Sequence, residues 1–336
     1  MNYNVFCTLF NRGYLDKGLV LVDSLKRAAP DFKLYIFAMD PEAFRILEET
    51  TDENVICVDV SSLENEELRE IKRNRSFAEY CWTWTPLTIQ YVLDYFHEPV
   101  CTYIDADMYF FSDPSDLLLE MTEDRKEVLI VRHGFPERKR ISLEKKYGTF
   151  CVEFNTFLNT EAAREVLSSW VSDCMRSCSY NKGSETHGDQ MYLEKWPSRY
   201  ACVHILQNPG GGVAPWNAER YSFDCRDQRY YLTDNESHER FPLCFYHFQN
   251  IRYLPFGLVN INLKKRNRFL KTRIYGKYLN EIHRKREYLE ERYSIRFSAK
   301  RSTYRNPVFR FIQNYVMPFK ITRLSNIMKQ TGSASK

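Results

Sequence analysis

No apolar run in this chain of 336 residues approaches the roughly 20 residues needed to cross a bilayer, which excludes a spanning helix of ordinary length. Val5-Phe-Cys-Thr-Leu-Phe10 opens a strand almost at once, so no secretory leader is expected. The 10 cysteines include no CxxC pair, and Cys7, Cys57 and Cys101 fall inside apolar, strand-like runs. That placement argues against a disulfide framework and for buried thiols in a reducing cytosol. Cys174 and Cys178 sit at helical spacing without histidine partners nearby, which argues against zinc. No internal repeat and no low-complexity linker divides the chain, so a solenoid is excluded.

What the chain has is enough hydrophobic content, 43%, for one large core or two smaller ones. Its charge is unevenly placed. Residues 262–336 carry 20 Lys and Arg against 4 acids, whereas the preceding 261 residues carry 28 against 40. A basic tail behind an acidic body points to a polyanionic surface as partner. Anionic lipid is the sharper reading, at ~1 kcal/mol per basic residue near the membrane, with Tyr304, Phe309, Phe311, Ile312, Tyr315 and Phe319 available to insert. Nucleic acid would suit the charge alone, and nothing else supports it.

Periodicity predicts strands over 4–10, 33–39 and 54–60, alternating with helices over 13–28, 41–49 and 64–73. A longer helix with an aromatic face spans 77–96, broken or started near Pro86, and a strand follows over 99–111. Further on, strands over 127–133 and 148–159 precede a helix over 161–178, and another helix covers 275–293. Gly-containing stretches at 179–189 and 210–212 read as mobile loops. This alternation predicts an α/β architecture, a Rossmann-like, mainly parallel sheet flanked by helices. Ligands of such sheets lie beyond the carboxyl ends of the strands.

Within the strand over 99–111 stands Ile104-Asp105-Ala-Asp107-Met108. Burying two ionised carboxylates side by side costs several kcal/mol unless a partner offsets it. A divalent cation resolves the conflict, and oxygen ligands favour Mg²⁺ or Mn²⁺ held against substrate phosphates; two solvent-facing acids at a strand end are the other reading.

This DxD element resembles that of GT-A-fold nucleotide-sugar glycosyltransferases, especially the family 8 type, and the resemblance covers roughly residues 1–260. Val5-Phe-Cys-Thr8-Leu-Phe-Asn11 resembles the family's first strand, which implicates Thr8, Asn11 and Tyr14 in holding uracil and ribose. Phe154-Asn155-Thr156-Phe157 resembles the Phe-Asn-Ser/Ala-Gly strand near the donor sugar, with Phe157 in place of glycine. His187-Gly188-Asp189-Gln190 resembles the Asp-Gln pair beside the sugar hydroxyls; a helix N-cap is the other reading of Asp189. Leu243-Cys-Phe-Tyr246-His247-Phe248 resembles the late His-Phe motif, which makes His247 the third metal ligand beside Asp105 and Asp107. The lysine that follows in the family is unmatched; Arg252 stands there. Pro215-Trp216-Asn217 resembles an element of bacterial polysaccharide transferases, where Trp216 either stacks on an acceptor sugar or is core. Arg73 and Arg75 precede the helix where related enzymes place a phosphate-contacting arginine.

The resemblance implies a metal-dependent transferase, with Mn²⁺ or Mg²⁺ and a UDP-linked sugar donor, working on a glycan or lipid-linked acceptor of surface polysaccharide. Its transferase domain would span 1–261, a nucleotide-binding half over 1–115 and an acceptor half over 116–261, followed by a basic, helical extension over 262–336. Family similarity implies retention, with Asp189, Gln190 and Asn155 positioning the sugar. An inverting enzyme would need a carboxylate base, for which Asp189 and Glu153 are candidates. The expected place is cytoplasmic, peripheral on the inner face of the membrane. Two other functions are open: a sugar nucleotidyltransferase, which needs a Gly-rich basic loop that Phe10-Asn-Arg-Gly13 does not supply, and a non-catalytic scaffold docked through the tail.

Overall fold

A computed structural model describes residues 3–179, 188–254, 257–263 and 267–297, with the backbone alone of 321–323. The first half follows the predicted alternation closely. β1 (Val5–Phe10), β2 (Lys33–Ala38) and β3 (Val55–Asp59) alternate with α1 (Leu15–Ala28), α2 (Pro41–Thr50) and α3 (Glu66–Asn74). Asp40 and Asn65 cap α2 and α3 through their side chains, and Pro41 takes the first helical position, where a missing N–H costs nothing. α4 (Phe77–Tyr95) starts with a capping box between Ser76 and Glu79 and runs unbroken through Pro86.

The strand expected over 99–111 is two strands. β4 (Val100–Ile104) lies in the main sheet; β5 (Met108–Phe110) leaves it, and both aspartates occupy the turn between. α5 (Ser115–Glu123), β6 (Val128–Arg132), α6 (Glu137–Tyr147), β7 (Phe150–Leu158) and α7 (Glu161–Arg176) follow, then α8 (Trp196–Arg199) and β8 (Val203–Ile205). The seven-stranded sheet has the order β3-β2-β1-β4-β7-β6-β8, parallel throughout except where β7 pairs with β4 and β6. Near-continuous apolar strands bury both of its faces, the signature of a sheet covered by helices.

A small antiparallel meander of β9 (Tyr221–Arg226), β10 (Arg229–Asp234) and β11 (Arg240–Pro242) follows. β12 (Phe245–His247) then pairs antiparallel with β5, His247 opposite Met108. β13 (Arg252–Leu254) and β14 (Leu258–Asn260) form a hairpin whose second strand pairs with β15 (Ile321–Arg323).

The extension expected from residue 262 is not detached at that point. α9 (Tyr275–Tyr293) buries Tyr275, Tyr278, Leu279 and Ile282 in one cluster with Tyr109, Tyr246 and Phe248. Ion pairs Arg286–Asp16, Lys285–Asp23 and Arg27–Glu281 fasten it along α1. Part of the basic surplus is thus spent on the acidic body. The aromatic residues 304–319 expected to meet lipid lie outside the described residues. Among the described residues no helix is long and apolar enough to cross a membrane.

Candidate active site

β4 delivers the aspartates because it ends where β5 must turn away to meet β12. The turn is pinned: the Asp105 N–H donates to Glu153 O (3.2 Å) and the Met108 N–H to Asp105 O (3.1 Å). From the other side the Phe248 N–H donates to Asp107 O, and the His247 N–H to Val213 O, both 2.9 Å. The β5–β12 register therefore sets the imidazole against both carboxylates. His247 Nε2 lies 3.0 Å from Asp107 Oδ1 and 3.5 Å from Asp105 Oδ2. Both aspartates reach one nitrogen.

The opposite ring nitrogen is held too. His247 Nδ1 lies 2.5 Å from Glu153 Oε2, and Glu153 on β7 is fully buried. A carboxylate on the far nitrogen of a ligating histidine fixes the ring's orientation and raises its basicity. Burial alone would lower the His247 pKa, but hydrogen bonds to Asp107 and Glu153 override it and hold the pKa well above the usual value. Trp216 meets the His247 ring edge-on at 5.4 Å and donates its indole N–H to His133 O (2.8 Å). It is a buttress of the histidine and nearly all core, 7% exposed.

The two aspartates differ. Burial pushes Asp105 up to about 6 against the opposing pull of His247. Burial acts on Asp107 as well, yet Lys17 and His247 outweigh it and keep that carboxyl below the usual range. Lys17, one helical turn after Tyr14, places Nζ 3.3 Å from Asp107 Oδ2 and 3.8 Å from the centre of the Tyr14 ring. Neither lysine nor aspartate side chain is more than 10% exposed.

Two clefts lie beside these residues, one lined by Lys17 and the other by Asp105 and His247. One, of about 440 Å³, is lined by Tyr14 and Lys17 together with Arg12, Arg252, Arg286 and Arg296. The other, of about 470 Å³, is lined by Asp105 and His247 with Trp82, Tyr103, Trp216 and Asp189. Asp189 makes no side-chain capping bond to the turn it precedes, so the N-cap reading does not hold. It is buried facing the cleft, and burial raises its pKa to about 7 in spite of a Thr85 hydrogen bond. Gln190 lines the same cleft while its amide donates to Tyr147 O. His187 of that motif lies outside the described residues.

Asn155 is fully buried on β7 opposite Tyr103, whose hydroxyl donates to Asp105 Oδ1 (3.1 Å). Both polar atoms of the Asn155 side chain are buried without a hydrogen-bond partner, and such groups call for a ligand or water to complete them. Thr8 on β1 shares this condition through its buried Oγ1. Asn11 is spent on its own turn, accepting from the Gly13 N–H (3.1 Å).

Three expectations need correction. Arg75 does not join the group: its guanidinium donates to the carbonyls of Cys174 and Met175 and to Thr83, tying the end of α7 to α4. Glu153 is not placed to serve an acceptor, being enclosed against His247. Residues 210–212 form no mobile loop. They are buried, a Cβ on Gly210 would lie 2.2 Å from Pro242 O, and Gly212 has φ +103° with Val131 pressed against it. Asn217 closes this segment, its amide donating to Gly212 O (2.7 Å) and His133 O (2.8 Å).

Sequence reasoning missed Lys17, the role of Glu153 and the place of His133. The only local signal for Lys17 is its i,i+3 spacing from Tyr14. His133 shows none: its ring stacks on Phe135 at 4.7 Å, and burial lowers its pKa to about 4. Among the described residues, Cys151, Glu153 and His247 also bring possible ligand atoms within 4.8 Å of one another.

No family model matches the chain. Among solved structures, the galactosyltransferase LgtC in complex with donor and acceptor sugar analogues superimposes with a TM-score of 0.51, covering 83% of this chain and 95% of that one at 15% identity. At that identity the likeness is one of fold, and the fold is GT-A. Two proteins of Bacillus subtilis (strain 168) are closer in sequence. The uncharacterized protein YfnD is 32% identical over 246 residues, 72% of this chain and 76% of YfnD. The uncharacterized protein YfnF is 31% identical over 264 residues, 77% of this chain and 84% of YfnF. The chain therefore belongs to the family of YfnD and YfnF.

Proposed function

We propose that this chain is a metal-dependent glycosyltransferase that moves a sugar from a UDP-linked donor to a glycan or lipid-linked acceptor in surface-polysaccharide synthesis. The observation that carries the reading is the convergence of Asp105 and Asp107 on one nitrogen of His247 at the carboxyl end of the sheet. The donor set fits a divalent cation: two carboxylates and an imidazole whose far side is already oriented by Glu153. Asp105, Asp107 and His247 would hold that ion, and Mn²⁺ suits the mixed oxygen and nitrogen set better than Mg²⁺. When bound, such a cation supplies Lewis-acid stabilisation of the negative charge that builds on a leaving diphosphate.

The chain's own residues do the rest. Glu153 holds His247 in the orientation that presents Nε2 to the aspartates. Tyr103 donates to Asp105 and fixes its rotamer. Asn155 offers an unspent amide next to Tyr103, suited to the hydroxyls of the transferred sugar. Asp189, enclosed in the aromatic cleft, contacts the sugar or the attacking acceptor hydroxyl. With retention Asp189 and Gln190 steady the donor sugar. A carboxyl pushed up to about 7 also meets the requirement of a general base, which is the inverting reading. The anomeric configuration of the product separates the two.

Titration with UDP, with and without Mn²⁺, tests the reading: metal-dependent binding and slow Mn²⁺-dependent hydrolysis of a nucleotide sugar are expected. Absence of both in a folded chain would refute it and favour a scaffold. Attachment to anionic lipid through the basic tail is tested separately, by sedimentation with phosphatidylserine vesicles. Replacement of Arg301, Arg305 and Arg310 by Gln should release the chain; unchanged sedimentation removes that part of the proposal.

A further inference from the structure

Helix α1 carries a cation into the site that the resemblance did not anticipate. The lysine of the family's late motif is unmatched here, with Arg252 a candidate replacement, whereas Lys17 reaches Asp107 from α1. Its Nζ is 3.3 Å from Asp107 Oδ2, on the wall of the cleft that also contains Arg12, Arg252, Arg286 and Arg296. The start of α1 is held firmly. Asp16, 1% exposed, accepts from the Lys17 N–H (2.9 Å) and from Arg286 Nε of α9 (2.6 Å). The Arg286 guanidinium is itself stacked on Tyr253 at 3.4 Å. Lys17 is thus a preorganised cation, seated on the Tyr14 ring and locked from the C-terminal side of the chain.

A divalent cation on Asp105 and Asp107 changes its position energetically. The carboxylate that now balances Lys17 would be shared with a dication, and two positive centres would face each other across an enclosed site. An anion bridging both relieves the repulsion; in the neighbouring cleft Arg12, Arg286 and Arg296 are paired to Glu42, Asp16 and Glu290, and Arg252 lines it beside Lys17. We propose that Lys17 binds the diphosphate of the donor, supplying from α1 the contact that the family takes from the loop after the late histidine. This rests on the donor reading above.

Calorimetric titration of the full chain in Mn²⁺ with UDP and with uridine tests it. Lys17→Met should weaken UDP binding roughly 10–100-fold and leave uridine binding within about twofold, and Lys17→Arg should recover most of the loss. Unchanged UDP affinity in Lys17→Met overturns the inference, as does an equal loss for uridine, which would make Lys17 a structural counter-ion of Asp107. A wild-type chain that binds no UDP overturns the donor reading itself, and the inference with it. Should Lys17→Met not fold, a crystal of the wild-type chain with UDP and Mn²⁺ decides: Nζ within hydrogen-bonding distance of a diphosphate oxygen supports the assignment, and Nζ still seated on Asp107 refutes it.

Discussion

The cleft lined by Lys17 and the cleft lined by Asp105 and His247 are of similar size and different chemistry. The one beside α1 is lined by Lys17 and four arginines, with Tyr14 as its principal ring; the one beside β7 is lined by Trp82, Tyr103, Trp216 and two carboxyls. The cationic cleft draws on the N-terminal helix and the C-terminal segment, which are far apart in sequence. The aromatic cleft draws on the middle of the chain. A charged leaving group and a neutral sugar need such different surroundings, because phosphate is recognised by cations and a sugar by ring faces with a few hydrogen-bonding groups. Lys17, on the first cleft, and His247, on the second, both reach Asp107.

The largest blow to this division is Asp107→Asn. It removes a metal ligand and the partner of Lys17 together, so Mn²⁺-dependent UDP affinity should fall more than about 100-fold by calorimetry. Retention of that affinity would separate the clefts from any metal. Glu153→Gln leaves both clefts' linings intact but removes the charge behind His247. Metal affinity should drop about 10–100-fold with uridine binding unchanged; an equal loss of both would mean that the site had collapsed.

Protonation sharpens the contrast further. Hydrogen bonds to Asp107 and Glu153 hold the His247 pKa well above its usual value and burial raises that of Asp105 to about 6, so a metal bound as proposed would compete with protons at both. Mn²⁺ affinity should therefore rise with pH, roughly tenfold from pH 6 to 7, with proton release visible as a buffer-dependent heat. Asp189 is the stability counterpart on the aromatic side. Its folded pKa of about 7 exceeds the ordinary 3.8, so the folded state binds the extra proton and stability falls as pH rises between those values. Asp189→Asn should raise the melting temperature at pH 8, by a free energy on the order of a few kcal/mol, and the gain should vanish below about pH 4. A gain that persists there would have another cause. The smallest expected effect on binding is that of Arg75→Met. It should cost about 1–3 kcal/mol of stability through the lost ties to α7, with UDP affinity unchanged. Weakened UDP binding would restore Arg75 to the phosphate side.

The first half of the fold was legible because α2, α3 and α4 announce their starts with Asp40-Pro41, Asn65 and Ser76 through Glu79, and each strand is a short apolar run. Later in the chain β6, β7, α7 and α9 were legible as well, whereas α6 and the short strands β9–β12 were not. α6 has no buried residue and hence no apolar stripe to read, and β12 is a three-residue strand recognisable only by its partner β5. The site divides in the same manner. Asp105, Asp107 and His247 stand in motifs, whereas Lys17 looks like any surface lysine of an amphipathic helix. Gly210–Gly212 read as mobile because glycine permits motion; there glycine answers to crowding by Pro242 and Val131.

By itself the sequence determined the α/β alternation and the acids at a strand's end. Those follow from local rules of periodicity, capping and the cost of burying charge. Tertiary structure alone decided that Glu153 backs His247, that Trp216 packs edge-on against His247 while lining the aromatic cleft, and that Lys17 faces Asp107 with α9 fastened along α1. These depend on β5 pairing with β12 and on α1 lying along α9, contacts between segments up to 270 residues apart. No local pattern encodes such distances, because they are fixed only when the whole core closes.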